Sequence, residues 1–420
     1  MATRREFIQK TLGSTAGLAA YGLFPSSRVL GANDRIRIGL IGAGGRGTEI
    51  FKAAMKCSNV EPVAVADIYT QRLDEAKQLV PSLATYRDFR KLLDDKSIDA
   101  VLIATPQHLH ALHFVPAIQA GKDVYQEKTM AFNPDHAKRM RKALAGSGRV
   151  VQVGVQGTSA PSVEQIREYV KSGQLGTITQ LHTFHYRNAP YGGWKRPVPA
   201  DCNPQNVNWK AFEGEAKQYP FDPNRFINWR FFWDYSGGNC FENMVHQVGY
   251  WFKVLNLKVP QKVTMVGANY LSPEMQVPDT MDVSMIQREK LLFTWNSMFG
   301  NNLMGSGYNE LLGDKGTILR DPAFQFTFVP QGKKPTPPTS SEAPGKGADI
   351  VGRNDITVVH MQNFFDCMRS RKETNCPLEL GFSSAVTCRM AVESYRHGQT
   401  VSWDDQNEDI IYEGGVNMSS

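Results

Sequence analysis

Gly42-Ala43-Gly44-Gly45-Arg46-Gly47 is a G-x-G-x-x-G run set between the β-type stretch Arg35-Ile-Arg-Ile-Gly-Leu-Ile and a helical pattern reaching Lys56. In that context Gly42 permits a tight turn, Gly44 lets the backbone approach a pyrophosphate, and Gly47 allows the helix to pack closely on the strand. With Gly45 and Arg46 between them, they open a helix whose free N–H groups and dipole favour an anion. A second strand-like run, Val63-Ala-Val-Ala66, ends in Asp67, twenty residues after Gly47. A carboxylate there accepts hydrogen bonds from ribose hydroxyls and repels a 2′-phosphate, so the pattern favours NAD over NADP. Taken singly, the glycines also suit an ordinary turn and Asp67 a helix cap. Their joint spacing points to a dinucleotide.

Positioning such a site needs a parallel sheet. Strand-like runs at 100–104 and 123–126 alternate with helical stretches around 107–120 and 134–146, and ligands bind beyond the carboxyl ends of strands arranged this way. The residues at those ends are Thr105-Pro106-Gln107-His108-Leu109-His110 and Glu127-Lys128-Thr129. Further runs at 261–269, 281–287, 290–297 and 316–319 follow closely with few helical stretches between, which predicts a largely antiparallel sheet. An apolar pattern over 384–395 predicts a closing helix, and the proline-rich stretch 330–347 a mobile surface loop. The fold class is therefore α/β, with a Rossmann domain over residues 33–155 and an α+β domain with a large, mostly antiparallel open sheet over 156–404. Residues 1–32 precede the fold and 405–420 form a tail.

A chain of 420 residues has room for two to three domains, each with its own core. The net charge is +6, half of it carried by residues 1–32 through Arg4, Arg5, Lys10 and Arg28 against Glu6. The remainder is too weakly and too evenly charged to mark a nucleic-acid surface. The cysteines at 57, 202, 240, 367, 376 and 388 contain no C-x-x-C pair. Cys367 and Cys376 read most simply as buried thiols, or as a disulfide in an exported protein. His108, His182 and His185 read as structural, and no metal site is expected because no trio has ligand spacing.

Thr3-Arg4-Arg5-Glu6-Phe7-Ile8-Gln9-Lys10 precedes a weakly apolar stretch from Thr11 to Phe24, broken by Pro25. At roughly 14 residues against the ~20 a spanning helix needs, it is too short for a membrane anchor. Paired arginines, a modest apolar region and small residues near Gly31-Ala32 fit a twin-arginine export signal and a periplasmic or exported protein.

The glycine run, Asp67, Thr105-Pro106 with His110, and Glu127-Lys128 together resemble the Gfo/Idh/MocA oxidoreductases. Gly173-Gln-Leu-Gly176, Gly237-Gly238 ahead of His246, Leu312-Gly313-Asp-Lys-Gly316 and Val401-Ser-Trp403 extend the resemblance over roughly residues 35 to 404. It implies an NAD-dependent enzyme and adds Thr105, Pro106, His110, Glu127 and Lys128 to the cofactor-binding set. It also implies that Lys128 lies by nicotinamide and substrate and that His246 performs acid–base chemistry, with Glu242 assisting. Two positions depart from the family pattern. Thr129 stands where proline is usual, and Glu242 where aspartate is usual. The resemblance further implies a homo-oligomer, dimer or tetramer, paired through the open sheet face.

Between Tyr186 and Phe252 lie five of the seven tryptophans, among them Trp229 and Trp233, interleaved with Arg225, Arg230 and other polar residues. Flat apolar faces beside hydrogen-bonding groups suit a carbohydrate, which makes Tyr186, Arg225, Trp229, Arg230 and Trp233 candidate sugar contacts beside Lys128 and His246. The alternative is that these aromatics staple a long insert to its domain. Export adds a constraint, because a compartment without a replenished NAD pool requires tightly retained cofactor. Either the hydride passes to a second substrate, or it returns to the same one after an elimination, as in NAD-dependent glycosidases. A non-catalytic NAD-binding protein is the third reading.

Overall fold

The computed structural model describes residues 35–189, 194–302, 306–334 and 348–413. The N-terminal segment predicted to be an export signal, and positions 335–347 of the predicted loop, lie outside them. The described residues from Arg35 onward form a single compact unit.

The strands β1 (Ile36–Ile41), β2 (Val60–Ala66), β3 (Ala84–Tyr86), β4 (Ala100–Ile103), β5 (Asp123–Gln126) and β6 (Val151–Val153) form one sheet in the order β3-β2-β1-β4-β5-β6. Every pairing in it is parallel. β4 and β5 are buried along their whole length, as a sheet covered on both faces requires. The helices that follow these strands are α1 (Gly45–Met55), α2 (Thr70–Leu79), α3 (Phe89–Asp94), α4 (His110–Gln119) and α5 (Pro134–Leu144).

After α6 (Ser162–Lys171), the strands β7 (Ile178–Tyr186), β8 (Lys262–Ala268), β9 (Thr280–Ile286), β10 (Leu292–Met298), β11 (Ser306–Gly313), β12 (Gly316–Arg320), β13 (Phe326–Pro330), β14 (Val401–Asp404) and β15 (Asp409–Tyr412) build a nine-stranded sheet. Its order is β13-β12-β11-β7-β10-β9-β8-β14-β15. Only β7 and β10 pair in parallel; the other pairings are antiparallel. Burial alternates with the pleat. Met281, Val283 and Met285 of β9, with Phe293 and Trp295 of β10, enter the core, whereas Val266 and Ile286 are exposed. The insert between β7 and β8 carries the short helices α7 (Trp209–Glu213) and α8 (Pro223–Ile227), then α9 (Val245–Leu255).

The domain division at 155/156 is less clean than the sequence suggests. The helix α10 (Ala348–Ser370) returns to the parallel-sheet layer, where Gln362 accepts from the Ser58 N–H at 3.1 Å and Arg369 donates to the Ser58 carbonyl at 2.8 Å. Thr374 donates to the Val151 carbonyl at 2.7 Å and Val153 N–H to the Cys376 carbonyl at 2.9 Å, closing the β6 edge. The helix α11 (Leu378–His397) contains the predicted 384–395 stretch. The tail is also corrected: residues 409–412 are not a tail but β15, paired with β14 at the sheet edge. All six cysteines are buried free thiols. No helix among the described residues is long and apolar enough to cross a membrane.

Candidate active site

Gly42 has φ +92°, which glycine adopts without strain, and its N–H donates to the Ala66 carbonyl at 2.8 Å. A Cβ on Gly47 would lie 1.9 Å from the Gly42 carbonyl oxygen, so only glycine lets α1 start this close to the turn. Gly45 faces open space, since a Cβ there would meet nothing within 4 Å. Asp67 is buried at the end of β2, and its carboxylate accepts from the Ala43 N–H at 2.7 Å and the Tyr69 N–H at 2.9 Å. A carboxylate has about four lone-pair directions, which leaves two for ribose hydroxyls. Arg72 stands 3.8 Å from the same group.

A cavity of about 460 Å³ runs past Gly42, Gly44, Gly45, Arg46, Asp67, Thr105 and Pro106 to Trp229 and Arg230. Its size lies in the range of small-molecule and cofactor sites. Open glycine backbone at a helix N-terminus, followed by a carboxylate with spare acceptors, fits a dinucleotide's diphosphate and ribose.

The other residues of the predicted cofactor set brace this wall. Arg46 Nε donates to Glu127 at 2.9 Å, tying the glycine turn to the end of β5. Buried Glu127 also accepts from the Lys128 N–H at 3.1 Å. The Thr105 hydroxyl lies 3.0 Å from His113 Nδ1. His110 is fully buried, with its ring nitrogens each 2.8 Å from the carbonyls of Thr129 and Thr105. It therefore pins together the loops after β4 and β5 and does not line the cavity.

Next to Arg230 of the cavity lining, though not themselves lining it, Lys128 and Glu242 pair: Lys128 Nζ donates to Glu242 Oε2 at 2.8 Å. Gln107 Nε2 donates to Glu242 Oε1 at 2.5 Å, and Arg230 Nε lies 3.3 Å from Oε2. Burial raises the Glu242 pKa, but the charges of Arg230 and Lys128 and the hydrogen bonds from Lys128 and Gln107 outweigh it, holding the carboxyl well below its ordinary range. Glu242 sits in a π-helical turn, Cys240–Met244, that runs directly into α9. Such turns are often found at functional sites. His246 follows one turn later, partly buried. The Glu242 carboxylate, expected to assist, reaches to the loop after β5 and anchors Lys128.

At the first departure from the family pattern, the Lys128–Thr129 peptide is cis and the Thr129 hydroxyl donates to the Phe241 carbonyl at 2.6 Å.

The insert is mostly stapled, as the bland reading of its aromatics has it. Phe212, Phe226, Trp229 and Tyr235 pack on Tyr69 of the parallel-sheet domain, and His108 lies 2.6 Å from the Phe212 carbonyl. Arg225 pairs with Asp234 at 3.0 Å and stacks on Tyr219 and Phe232, away from Lys128. Trp233 packs on Tyr395. Tyr186 lies on β7 beside Phe184, in the pleat phase opposite buried His185. The structure therefore does not bring Arg225, Trp233 or Tyr186 to the cavity; of the insert's candidates it brings Trp229 and Arg230. Of the residues the structure adds, Gln107 lies in the strand-end stretch and Trp194 in the tryptophan-rich stretch, without having been singled out, and Arg196 left no signal. Among the described residues no group of three or more His, Cys, Asp or Glu is placed to hold a metal ion.

A parallel sheet with a dinucleotide-binding turn, joined to an open antiparallel sheet, defines a two-sheet protein of the dinucleotide-dependent class. Residues 36–155 match the model of the oxidoreductase family with an NAD-binding Rossmann fold, GFO_IDH_MocA. Residues 36–155 thus form an NAD-binding domain of the kind that model describes. Inositol 2-dehydrogenase of Burkholderia multivorans is 32% identical over 160 residues, 37% of this chain and 47% of that one. The rhizopine catabolism protein MocA of Rhizobium meliloti is 29% identical over 157 residues, 37% of this chain and 49% of that one. The chain thus spans about half the length of these curated relatives. Among solved structures, the aldose-aldose oxidoreductase of Caulobacter crescentus, complexed with glycerol, superposes with a TM-score of 0.65 at 18% identity, covering 88% of this chain and 99% of that one. A levoglucosan dehydrogenase, complexed with NADH and levoglucosan, gives 0.66 at 18% identity over 88% and 99%. These likenesses show that the fold extends over both sheets.

Proposed function

We propose that the chain is an exported NAD-dependent oxidoreductase that removes hydride from, or returns it to, a carbinol carbon of a sugar, polyol or glycoside. The observation that carries this reading is Lys128, fixed at 2.8 Å by a carboxylate, Glu242, that it shares with Arg230 of the cavity lining. When bound, nicotinamide supplies the hydride acceptor or donor. Lys128 donates a hydrogen bond to the reacting hydroxyl and stabilises negative charge on its oxygen. His246 takes the hydroxyl proton in oxidation and gives it back in reduction, a task suited to imidazole near neutral pH. Glu242, its carboxyl held well below its ordinary range, orients Lys128. Gln107 fixes Glu242 in turn. The names of the relatives, inositol 2-dehydrogenase and levoglucosan dehydrogenase, support a polyol or sugar as substrate.

Arg4-Arg5 and the short apolar stretch behind them support export, and export calls for retained cofactor. The test is to isolate the mature protein from the periplasm without added NAD, pass it through gel filtration, and measure bound NAD(H) and turnover of sugars, polyols and glycosides. Near-stoichiometric NAD(H), with turnover needing no added cofactor, is the expected result. Cofactor-free protein that reduces one added NAD per substrate would overturn tight retention, and no turnover of any carbinol substrate would overturn the enzymatic reading.

A further inference from the structure

The glycine turn and Asp67 fit the diphosphate and ribose of a dinucleotide, and the insert is tied to the chain at the same place. Residues 68–70, directly after Asp67, run antiparallel beside residues 206–208 of the insert. Asn208 N–H donates to the Ile68 carbonyl at 3.0 Å, Thr70 N–H donates to the Asn206 carbonyl at 3.1 Å, and Tyr69 bridges Val207. The Tyr69 hydroxyl donates to Asp201 at 2.7 Å, and Arg87 donates to the carbonyls of Gln205 and Asn206 at 3.3 and 3.1 Å. The loop that presents the ribose-binding carboxylate is therefore held from both the parallel-sheet domain and the insert.

Arg72 stands at this junction. Its guanidinium is bracketed by two rings, Tyr69 of the domain at 5.6 Å and Phe226 of the insert at 5.1 Å from their centroids, within the reach of cation–π attraction. Its Cζ lies 3.6 Å from the point that a Cβ on Gly44 would occupy, and its Nη1 lies 3.8 Å from Asp67 Oδ2. At that length the pair is not a hydrogen bond, and the Arg72 side chain makes none to any described residue. The rings thus fix the plane of a guanidinium whose N–H donors are uncommitted, between the two cofactor anchors. Arg72 and Phe226 line the same cavity as Gly44 and Asp67. In a dinucleotide, the phosphate on the adenosine side joins the ribose that a carboxylate such as Asp67 binds to the diphosphate that the glycine turn receives. A flat guanidinium fork suits the oxygens of such a phosphate.

We propose that Arg72, seated by Phe226, is a further cofactor contact that donates to the adenosine-side phosphate of NAD, and that the insert thereby forms part of the adenosine site. This rests on the retained-cofactor reading and deepens it, because release of NAD must break the Arg72 contact.

The experiment uses the full mature chain loaded with NADH, chases it with excess NAD, and follows release by the loss of bound NADH fluorescence. Arg72→Gln, at a side chain that is part exposed and so tolerant of replacement, is expected to speed release about tenfold, as loss of one charge-assisted hydrogen bond warrants. The margin should shrink as salt rises. Arg225→Gln is the control: it loosens the packing of the same insert through Asp234, away from the cavity, and should release NADH within about twofold of wild type. In competition against NADH, ADP-ribose should keep its wild-type ratio in Arg72→Gln, because both ligands lose the contact, whereas nicotinamide mononucleotide should gain about tenfold. Release from Arg72→Gln within about twofold of wild type, equal acceleration in Arg225→Gln, or an unchanged ratio for nicotinamide mononucleotide would each overturn this inference. Rapid release from the wild-type chain would instead overturn cofactor retention, and the ratio of Arg72→Gln to wild type would still decide the role of Arg72.

Discussion

Replacing Glu242 by glutamine keeps the volume and removes the charge, which isolates what the carboxylate does. Three donors converge on it: Lys128 at 2.8 Å, Gln107 at 2.5 Å and Arg230 at 3.3 Å. An amide offers one acceptor oxygen and turns an N–H₂ group toward at least one of these donors. Breaking a buried pair costs about 3–5 kcal/mol, and because glutamine retains one acceptor, the low end, about 3 kcal/mol, is expected at pH 7. That is on the order of a hundredfold in the folding constant, read as the difference in urea-unfolding free energy between Glu242→Gln and wild type. The pH dependence checks the cause. Since folding lowers this carboxyl's pKa below its ordinary 4.5, its contribution is fully present above that value and fades as the pH falls below it. The gap between the two proteins should hold steady from pH 7 to 5 and close below about 4.5. Turnover should fall at least tenfold, with Glu242→Asp keeping more of it, because Lys128 loses its anchor. Equal stabilities at pH 7, or a gap undiminished at pH 3.5, would refute the account of Glu242 as the charged holder of Lys128.

Lys128→Ala and His246→Ala should each lower kcat by roughly 10²–10⁴ while leaving bound NAD(H), measured by absorbance after gel filtration, unchanged. Asp67→Asn should reduce the preference for NAD over NADP about tenfold in paired Kd measurements, because an acceptor toward the ribose and the repulsion of a 2′-phosphate are both lost. Burial keeps three histidines neutral, lowering their pKa values to about 4 for His108, about 3 for His113 and about 3 for His360. Their unfolded value is 6.5, so the unfolded chain binds more protons in between and stability falls as pH drops below about 6.5, by up to about 4 kcal/mol per pH unit near pH 5. Urea melts between pH 7 and 5 measure that slope, and a flat profile would deny the buried neutral state.

Much of the parallel sheet was legible because its signals are local: a glycine run after a strand, an acid at the next strand end, alternation of strand and helix. The cavity wall from Gly42 to Asp67 lies where those signals put it. β11 and β13 were not anticipated, although both pair with neighbouring β12 across short turns, Leu312 with Thr317 and Arg320 with Phe326. β15 was hidden in four residues that pair only because β14 presents an open edge. The aromatic insert misled for a different reason. Tryptophan and arginine serve a sugar-binding wall and a packed staple equally well, and only the tertiary structure separates Trp229 and Arg230, which line the cavity, from Arg225 and Trp233, which do not. Composition carries no information about that.

The two departures from the family pattern, Thr129 and Glu242, have one explanation in the structure. Thr129 follows Lys128, and Phe241 precedes Glu242. The Thr129 hydroxyl donates to the Phe241 carbonyl at 2.6 Å, and Lys128 Nζ donates to the Glu242 carboxylate at 2.8 Å. Two consecutive residues of one loop are thus bonded to two consecutive residues of one helical turn, side by side. Proline at 129 has no hydroxyl to hold that turn, and a shorter aspartate at 242 would bring its carboxylate about one methylene less far toward Lys128. The threonine fixes the backbone from which the longer glutamate arm reaches, and the glutamate fixes the lysine that the threonine follows. Each substitution supplies what the other needs, so the pair keeps Lys128 positioned beside Arg230 of the cavity lining while using neither of the family's usual residues at these two places.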